Sequence, residues 1–223
     1  MKSASPLILA LEENKNVSYA VQMKAYMKGH FEYFGIKSEL RKAILKNNFD
    51  KKALPLGLDL QKYLDELWDC PQREVQYCAI DITDKYLKSM DISWLAYFEN
   101  KITSKSWWDT VDHIAAHHVG HLLSAQSKEF IRNKCEEWID SNNLWLQRTS
   151  IIFQLFYKEK TDFELMGDNI LATLEVKDFF IRKAHGWALR QYSKTNKVAV
   201  AEFIRNHREV LSPLAIKEGS KYL

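Results

Sequence analysis

Four segments of the chain repeat a helical pattern at a nearly constant interval, and this repeat limits the possible folds more than any other feature. The segments VQYCAIDITDKY, VDHIAAHHVGH, LQRTSIIFQLFY and IRKAHGWALRQY end at Tyr86, His121, Tyr157 and Tyr192, at intervals of 35, 36 and 35 residues. Helix pairs that recur at such a period bury their apolar stripes by stacking on their neighbours. The sequence therefore predicts an all-α fold, an α-solenoid forming a single curved domain over residues 1–223. An up-and-down helical bundle is the competing architecture.

Composition agrees with a globular helical protein. The chain has only 7 Gly and 4 Pro in 223 residues, with 46% hydrophobic and 27% charged residues, which argues against a turn-dense all-β fold and against disorder. No apolar run approaches the length of a transmembrane helix, and we expect neither a membrane span nor a secretory signal. Three Cys residues without C-x-x-C spacing make a disulfide framework improbable and indicate a reducing compartment such as the cytoplasm.

Local patterns predict where several helices begin. A helix over residues 72–87 is expected to begin with Pro71 at its first position, because the missing N–H would be unpaired there anyway. Its apolar face would consist of Val75, Cys78, Ala79, Ile82 and Tyr86. Two segments of the form S/T-x-x-D/E predict capping boxes that begin at Ser106 and Thr161.

Positive charge is concentrated in the last third of the chain. The net charge is +3, and residues 145–223 hold 13 Lys/Arg against 9 Asp/Glu. Equivalent positions in successive repeats line one wall of a solenoid, which predicts a concave basic face suited to a phosphate backbone. Its candidate residues are Arg148, Arg182, Lys183, Arg190 and Lys194. The alternative is that these cations lie on ordinary solvated helix faces.

The segment SWWDTVDH, from Ser106 to His113, carries the most chemical information. If Ser106 caps the helix, Asp112 lies well inside it and cannot cap the N-terminus. Trp108 precedes Asp112 by four residues and projects from the same face, whereas Trp107 is expected to point into the core. An indole beside a carboxylate can stabilise a developing cation. The alternative is a buried Trp pair with Asp112 in a structural salt bridge.

A group of histidines is a second candidate. His113, His117 and His121 are spaced i, i+4, i+8 and would share a helix face, with His118 beside them. Two such His can bind zinc, but no H-E-x-x-H arrangement is present. A metal-dependent hydrolase is therefore a weak hypothesis, and we expect no metal site.

Several motifs together resemble the AlkD-like family of DNA alkylation repair glycosylases, which are built from HEAT-like repeats. They are SWWDTVDHIA, NLWLQR, KAHGWALRQYSKTN, YMKGHFEYFGI and ELWDCPQRE. The resemblance runs from about residue 20 to about residue 200. It implies that the helical solenoid is of the HEAT-like type.

The resemblance also implies roles for individual residues. The catalytic set would be Trp108, Asp112, Arg148 and Trp187, with Arg148 holding a phosphate that flanks the lesion. Tyr26 would add a DNA contact. Relatives of this kind hydrolyse the N-glycosidic bond of cationic N3- or N7-alkylated purines, such as 3-methyladenine and 7-methylguanine, in duplex DNA, without a base-flipping pocket.

The predicted partner is therefore double-stranded DNA carrying alkylated bases, bound by a monomer that needs no cofactor. The alternative is a non-catalytic helical-repeat module that binds DNA or a protein partner, since helical solenoids commonly act as scaffolds.

Overall fold

The computed structural model describes residues 3–223, apart from the side chain of Ala53, and consists almost entirely of helices. Within that range a single parallel β-bridge joins Glu32 and Gln72, and no strand forms. The prediction of an all-α, helical-repeat fold is confirmed. The chain divides into two compact units, one ending at Ser89 and the other running from Met90 to Leu223.

The first unit contains five α-helices. They are α1 (Ser5–Glu13), α2 (Val17–Tyr26), α3 (Ser38–Asn48), α4 (Leu58–Asp69) and α5 (Arg73–Tyr86). The predicted apolar face of α5 is buried from Val75 to Tyr86. The predicted position of Pro71 is wrong. The β-bridge keeps the preceding residues extended, the N–H of Arg73 donates to the carbonyl of Glu32, and α5 begins only at Arg73.

The second unit contains the other nine α-helices of the described chain. They are α6 (Leu95–Thr103), α7 (Trp108–His113), α8 (Gly120–Leu123), α9 (Lys128–Asp140), α10 (Leu144–Ile152), α11 (Phe163–Ala172), α12 (Phe179–Tyr192), α13 (Lys197–Asn206) and α14 (Pro213–Gly219). The helix α10 contacts α6, α7, α9, α11 and α12, so it lies at the centre of this unit. Its Ile151 and Ile152 belong to the hydrophobic core, which also includes residues of α11, α12, α13 and α14.

The predicted repeat is present in the helix positions. The helices α5, α7, α10 and α12 begin at Arg73, Trp108, Leu144 and Phe179, again at intervals of 35, 36 and 35 residues. Equivalent side chains near these starting points can therefore meet where the helices are neighbours, as α7, α10 and α12 are within the second unit. That all repeats form one curved domain over residues 1–223 stays a prediction.

Neither predicted capping box forms, and both N-caps lie one residue later than predicted. Trp107 is the N-cap of α7 and makes no side-chain cap, whereas the hydroxyl of Ser106 donates to the carbonyl of Ile102 at 2.6 Å. The N-cap of α11 is Asp162, which accepts a hydrogen bond from the N–H of Leu165 at 3.1 Å. Asp112 still lies inside its helix, as predicted.

The helix that carries Asp112 contains a π-helical turn over Ile114–Val119, between α7 and α8. A π-turn has more residues per turn than an α-helix and rotates the side chains that follow it. Gly120, directly after the turn, is closely approached by α10, since a Cβ atom there would lie 2.5 Å from the carbonyl oxygen of Phe153. The turn therefore changes the face that an unbroken α-helix would present after Asp112.

Two expectations about the whole chain can be compared with the structure. The cysteines Cys70, Cys78 and Cys135 are all free thiols, as expected from their number and spacing. Among residues 3–223, none of the helices has the combined length and apolar character required to cross a bilayer.

Candidate active site

Asp112 and Arg148 form a two-pronged ion pair within the second unit. The Nε of Arg148 donates to Oδ1 of Asp112 at 2.6 Å, and Nη2 donates to Oδ2 at 2.8 Å. The Arg148 side chain is 3% exposed and that of Asp112 is 16% exposed. Parallel bonds between a planar guanidinium and a carboxylate fix the orientation of both groups. The carboxylate is therefore held rigidly in a side chain that is still partly exposed to solvent.

The same guanidinium connects three successive repeats. Arg148 lies on α10 and Asp112 on α7, while Nη1 of Arg148 donates to the backbone carbonyl of Phe180 at the start of α12. The guanidinium carbon also lies 5.9 Å from the ring centre of Trp187 and 6.0 Å from that of Phe180. The repeat spacing thus brings Asp112, Arg148 and Trp187 to one place.

The two predicted catalytic indoles are partly accessible. Trp108 begins α7, one helical turn before Asp112, and is half-buried. Trp187 is also half-buried and packs with part of its surface on the hydrophobic core. Neither indole is sealed in the interior, so both could present ring surface to a ligand beside Asp112.

An aromatic cluster supports the site from the N-terminal ends of α7, α10 and α12. The ring centres of Trp107 and Phe180 lie 5.1 Å apart, and Trp145 lies 5.8 Å from Trp107 and 5.1 Å from Phe180. All three are half-buried, so Trp107 is not a deep core residue. Sequence reasoning missed Trp145 and Phe180, although the repeat gave a signal, since each is the second residue of its helix.

Burial controls the ionisation of the central carboxylate. Desolvation raises the pKa of Asp112 above the ordinary value for aspartate, and the hydrogen bonds from Arg148 offset only part of this effect. The nearby charge of Asp109 acts in the same direction as burial. Burial therefore disfavours the ionised form of Asp112, and the hydrogen bonds from Arg148 favour it.

The expected contact of Arg148 with a DNA phosphate does not agree with this geometry. Its Nε, Nη1 and Nη2 atoms all have partners inside the protein, and the side chain is almost completely buried. A phosphate could reach it only if these bonds broke. The structure instead gives Arg148 the position of a residue that orients Asp112.

The other predicted basic residues have different surroundings. Lys183 and Arg190 on α12 both pair with Glu218 on α14, at 3.0 and 2.7 Å. Lys194 is exposed, donates to the side chain of Gln191 and lies 5.4 Å from the ring centre of Tyr222.

Two further predicted DNA contacts stay predictions. Arg182 is half-buried on α12. Tyr26, at the end of α2 in the first unit, is 73% exposed.

The ionisation of Glu218 is changed by the lysines that surround it. Hydrogen bonds from Lys221 and Lys183 lower the pKa of Glu218 to about 2. A carboxyl group with a lowered pKa stabilises the folded state at pH values above its ordinary pKa, and this contribution is lost as the pH falls toward the lowered value.

We expect the Glu218→Gln variant to lose less stability than the wild type on acidification. The free energy of unfolding of the wild type should fall more steeply between about pH 5 and about pH 2. In this range the Glu218 carboxyl takes up a proton when the wild type unfolds, and the variant has no such group. Urea titrations across this pH range measure the effect. Glu209→Gln, at an exposed position, is the control. Parallel pH curves for wild type and Glu218→Gln would contradict the assignment.

Two of the predicted histidines, His113 and His117, pack against each other. The rings of His113 and His117 lie 4.5 Å apart, and His117 stacks on Phe156 at 4.6 Å. His118 is buried, whereas His117 and His121 are both exposed. Among the described residues, His113, His117 and His121 do not bring their ligand atoms together as a metal-binding set.

The fold defines a class, the helical-repeat proteins, and the candidate site adds a carboxylate–guanidinium pair with the half-buried indole of Trp187 beside its guanidinium. A family described as DNA alkylation repair enzyme matches residues 7–223, and the chain belongs to this family. The match extends through α14, beyond the range of the sequence motifs.

A solved structure gives the same classification. The chain is 33% identical to a predicted DNA alkylation repair enzyme from Enterococcus faecalis, with 94% of this chain and 96% of that chain covered and a TM-score of 0.81. No curated protein matches the chain.

Proposed function

We propose that the protein is a DNA glycosylase that hydrolyses the N-glycosidic bond of positively charged N3- or N7-alkylated purines in duplex DNA. The observation that carries the proposal is the rigid, partly accessible Asp112 carboxylate, held by Arg148 close to Trp187. Membership of a DNA alkylation repair family supports DNA as the substrate. The AlkD-like motifs support the choice of glycosylase chemistry.

The reaction places its main demand on the sugar. An alkylated purine of this kind already carries a positive charge, so it leaves as a neutral base with the electron pair of the broken C1′–N bond and needs no general acid. Positive charge then develops on the deoxyribose, and a water molecule attacks C1′ and loses a proton. The enzyme must stabilise this transient cation and position the water.

The Asp112 carboxylate is suited to both tasks. Its partly exposed side chain can lie against the cationic sugar, and a remaining lone pair can accept a hydrogen bond from the attacking water. Arg148 keeps the two oxygen atoms fixed, so little reorganisation is needed when charge develops. In this proposal Arg148 is a positioning residue and does not contact DNA directly.

The two indoles supply the remaining surface. Trp108 and Trp187 can present ring faces to the sugar, and a cation over an indole is stabilised by roughly 0.5–2 kcal/mol. The damaged nucleotide is recognised through its own charge and labile bond. A closed base-binding pocket is therefore unnecessary.

The rate of base release should depend on pH through Asp112. Since burial raises the pKa of this group and the ionised form is required, activity should rise with pH through a pKa above the ordinary aspartate value and should be lost below it. Single-turnover rates at saturating enzyme, measured from about pH 4 to about pH 8, give this profile. A rate that is flat down to the ordinary pKa of aspartate would contradict the proposal.

The direct test is a base-release assay. Wild-type protein is incubated in excess with methylated duplex DNA, and free 7-methylguanine and 3-methyladenine are measured with and without EDTA. We expect release of both bases at equal rates under the two conditions. The proposal fails if neither base appears above the spontaneous rate.

A non-catalytic DNA-binding module remains the second candidate, favoured by the cations on α12. A surface that only binds phosphates gains nothing from an accessible carboxylate. The Asp112→Asn variant would then bind DNA more tightly, with no base release to lose.

A further inference from the structure

Three cations surround one carboxylate where α12 and α14 meet. The Nζ of Lys183 lies 3.0 Å from Oε1 of Glu218, and Nη1 of Arg190 lies 2.7 Å from Oε2. The Nζ of Lys221 lies 2.9 Å from both oxygens. We call Lys183, Arg190, Lys221 and Glu218 the α14 cation cluster. It carries two net positive charges.

The carboxylate lies beneath the cations. The Glu218 side chain is 7% exposed, whereas those of Lys183, Arg190 and Lys221 are 36%, 25% and 44% exposed. A lysine ammonium has three N–H donors and an arginine guanidinium has five, and Glu218 uses only some of them. The remaining donors are accessible to an anion from solvent.

Close packing fixes this arrangement beside Trp187. Lys183 and Arg190 lie four residues before and three residues after Trp187, on the same side of α12. A Cβ atom at Gly186 would lie 2.5 Å from the Cβ of Glu218 and 3.0 Å from the carbonyl oxygen of Ala215. Glycine at this position therefore allows α14 to approach α12 closely enough for Glu218 to reach both cations.

We propose that Lys183, Arg190 and Lys221 form a binding site for the phosphodiester backbone of DNA, in which the turn after α14 supplies Lys221 as a direct contact and α14 supplies Glu218 as a positioning residue. This inference rests on the proposed function for the identity of its ligand. A phosphodiester carries a single negative charge and two free oxygens, which suit a guanidinium and two ammonium groups. The sequence motifs did not extend to Glu218 or Lys221.

The first experiment measures phosphate contacts through their salt dependence. Binding of undamaged duplex DNA is titrated between about 50 and 200 mM salt, and loss of one phosphate contact should reduce the log–log slope by about 0.9. We expect this reduction for Lys221→Ala, with an affinity about three- to tenfold lower at the lower salt concentrations. Lys217→Ala is the matched control, because Lys217 is exposed on α14, four residues before Lys221, and is not among the described partners of Glu218. A wild-type slope in Lys221→Ala would overturn the proposal.

The second experiment separates positioning from competition. Removing an acidic charge should strengthen DNA binding by simple electrostatics, and this is also the result if Glu218 competes with phosphate for the cations. If Glu218 orients the cations, Glu218→Gln should weaken DNA binding by about threefold, although the variant loses a negative charge. Tighter binding would overturn the positioning role.

Base release distinguishes failure here from failure of the proposed function. If Lys221→Ala lowers the salt slope but wild-type protein releases no base, the phosphate site stands and the glycosylase proposal fails. If wild-type protein releases base and Lys221→Ala keeps the wild-type slope, the glycosylase proposal stands and the phosphate site fails.

Discussion

Replacing Asp112 by asparagine is expected to slow base release by about 10²- to 10³-fold, the effect typical of removing one transition-state electrostatic contact. Asparagine keeps the size of the side chain and can still accept one hydrogen bond from Arg148. It removes the negative charge that faces the developing sugar cation. Single-turnover release of 7-methylguanine, with enzyme in excess over methylated duplex DNA, measures the loss.

DNA binding controls for the catalytic effect. Asp112→Asn should bind duplex DNA at least as tightly as the wild type, because it loses a negative charge within a DNA-binding protein. Asp109→Asn makes the same change three residues earlier on α7, at a residue that is not bonded to Arg148. It should retain most of the activity. Equal losses in both variants would argue against a specific role for Asp112.

Replacing Arg148 by methionine is expected to lower the free energy of unfolding by about 3–5 kcal/mol, because the buried carboxylate of Asp112 is left without its partner. Without Arg148 the burial effect on Asp112 is no longer offset, so its pKa should rise further and ionised Asp112 should become scarce at neutral pH. Base release should be lost as well. Urea unfolding and the single-turnover assay measure the two effects.

Two further variants separate stability from chemistry. Arg132→Met removes an exposed pair with Asp168, and should leave the free energy of unfolding nearly unchanged, because solvent screens such a pair. The double variant Arg148→Met with Asp112→Leu should recover much of the lost stability, since an apolar replacement of both partners removes the unpaired buried charge. It should remain inactive. Recovery of activity in the double variant would contradict the role given to Asp112.

Much of the fold could be predicted from the sequence because repeated helix pairs leave a periodic signal. The spacing of the helix starts agreed with the spacing of the segment ends, and the buried face of α5 was found as expected. The helix boundaries were less accurate, because tertiary contacts override local capping signals. The hydroxyl of Ser106 donates to the carbonyl of Ile102, and the β-bridge at Gln72 makes α5 begin later than predicted.

The sequence motifs predicted which residues belong to the candidate site, but not how these residues bond to one another. Motifs identified Trp108, Asp112, Arg148 and Trp187, and the structure brings Arg148 to Asp112 and to Trp187. The sequence could not indicate that all three guanidinium nitrogens of Arg148 would have partners inside the protein. The pairing of Lys183 and Arg190 with Glu218 was equally hidden, because it depends on long-range contact between α12 and α14. Gly186 was its one local sign, since a glycine inside a helix often marks a close approach.

The hydrogen bonds of Arg148 make the geometry of the site depend on the packing of three helices. Because one side chain joins α7, α10 and α12, detachment of the last repeat would release the Phe180 carbonyl and loosen the carboxylate while most of the helices are still formed. As denaturant is added, the activity should therefore be lost at a lower concentration than the helical signal in circular dichroism. A partly unfolded molecule would then keep most of its helices and yet be unable to release a base.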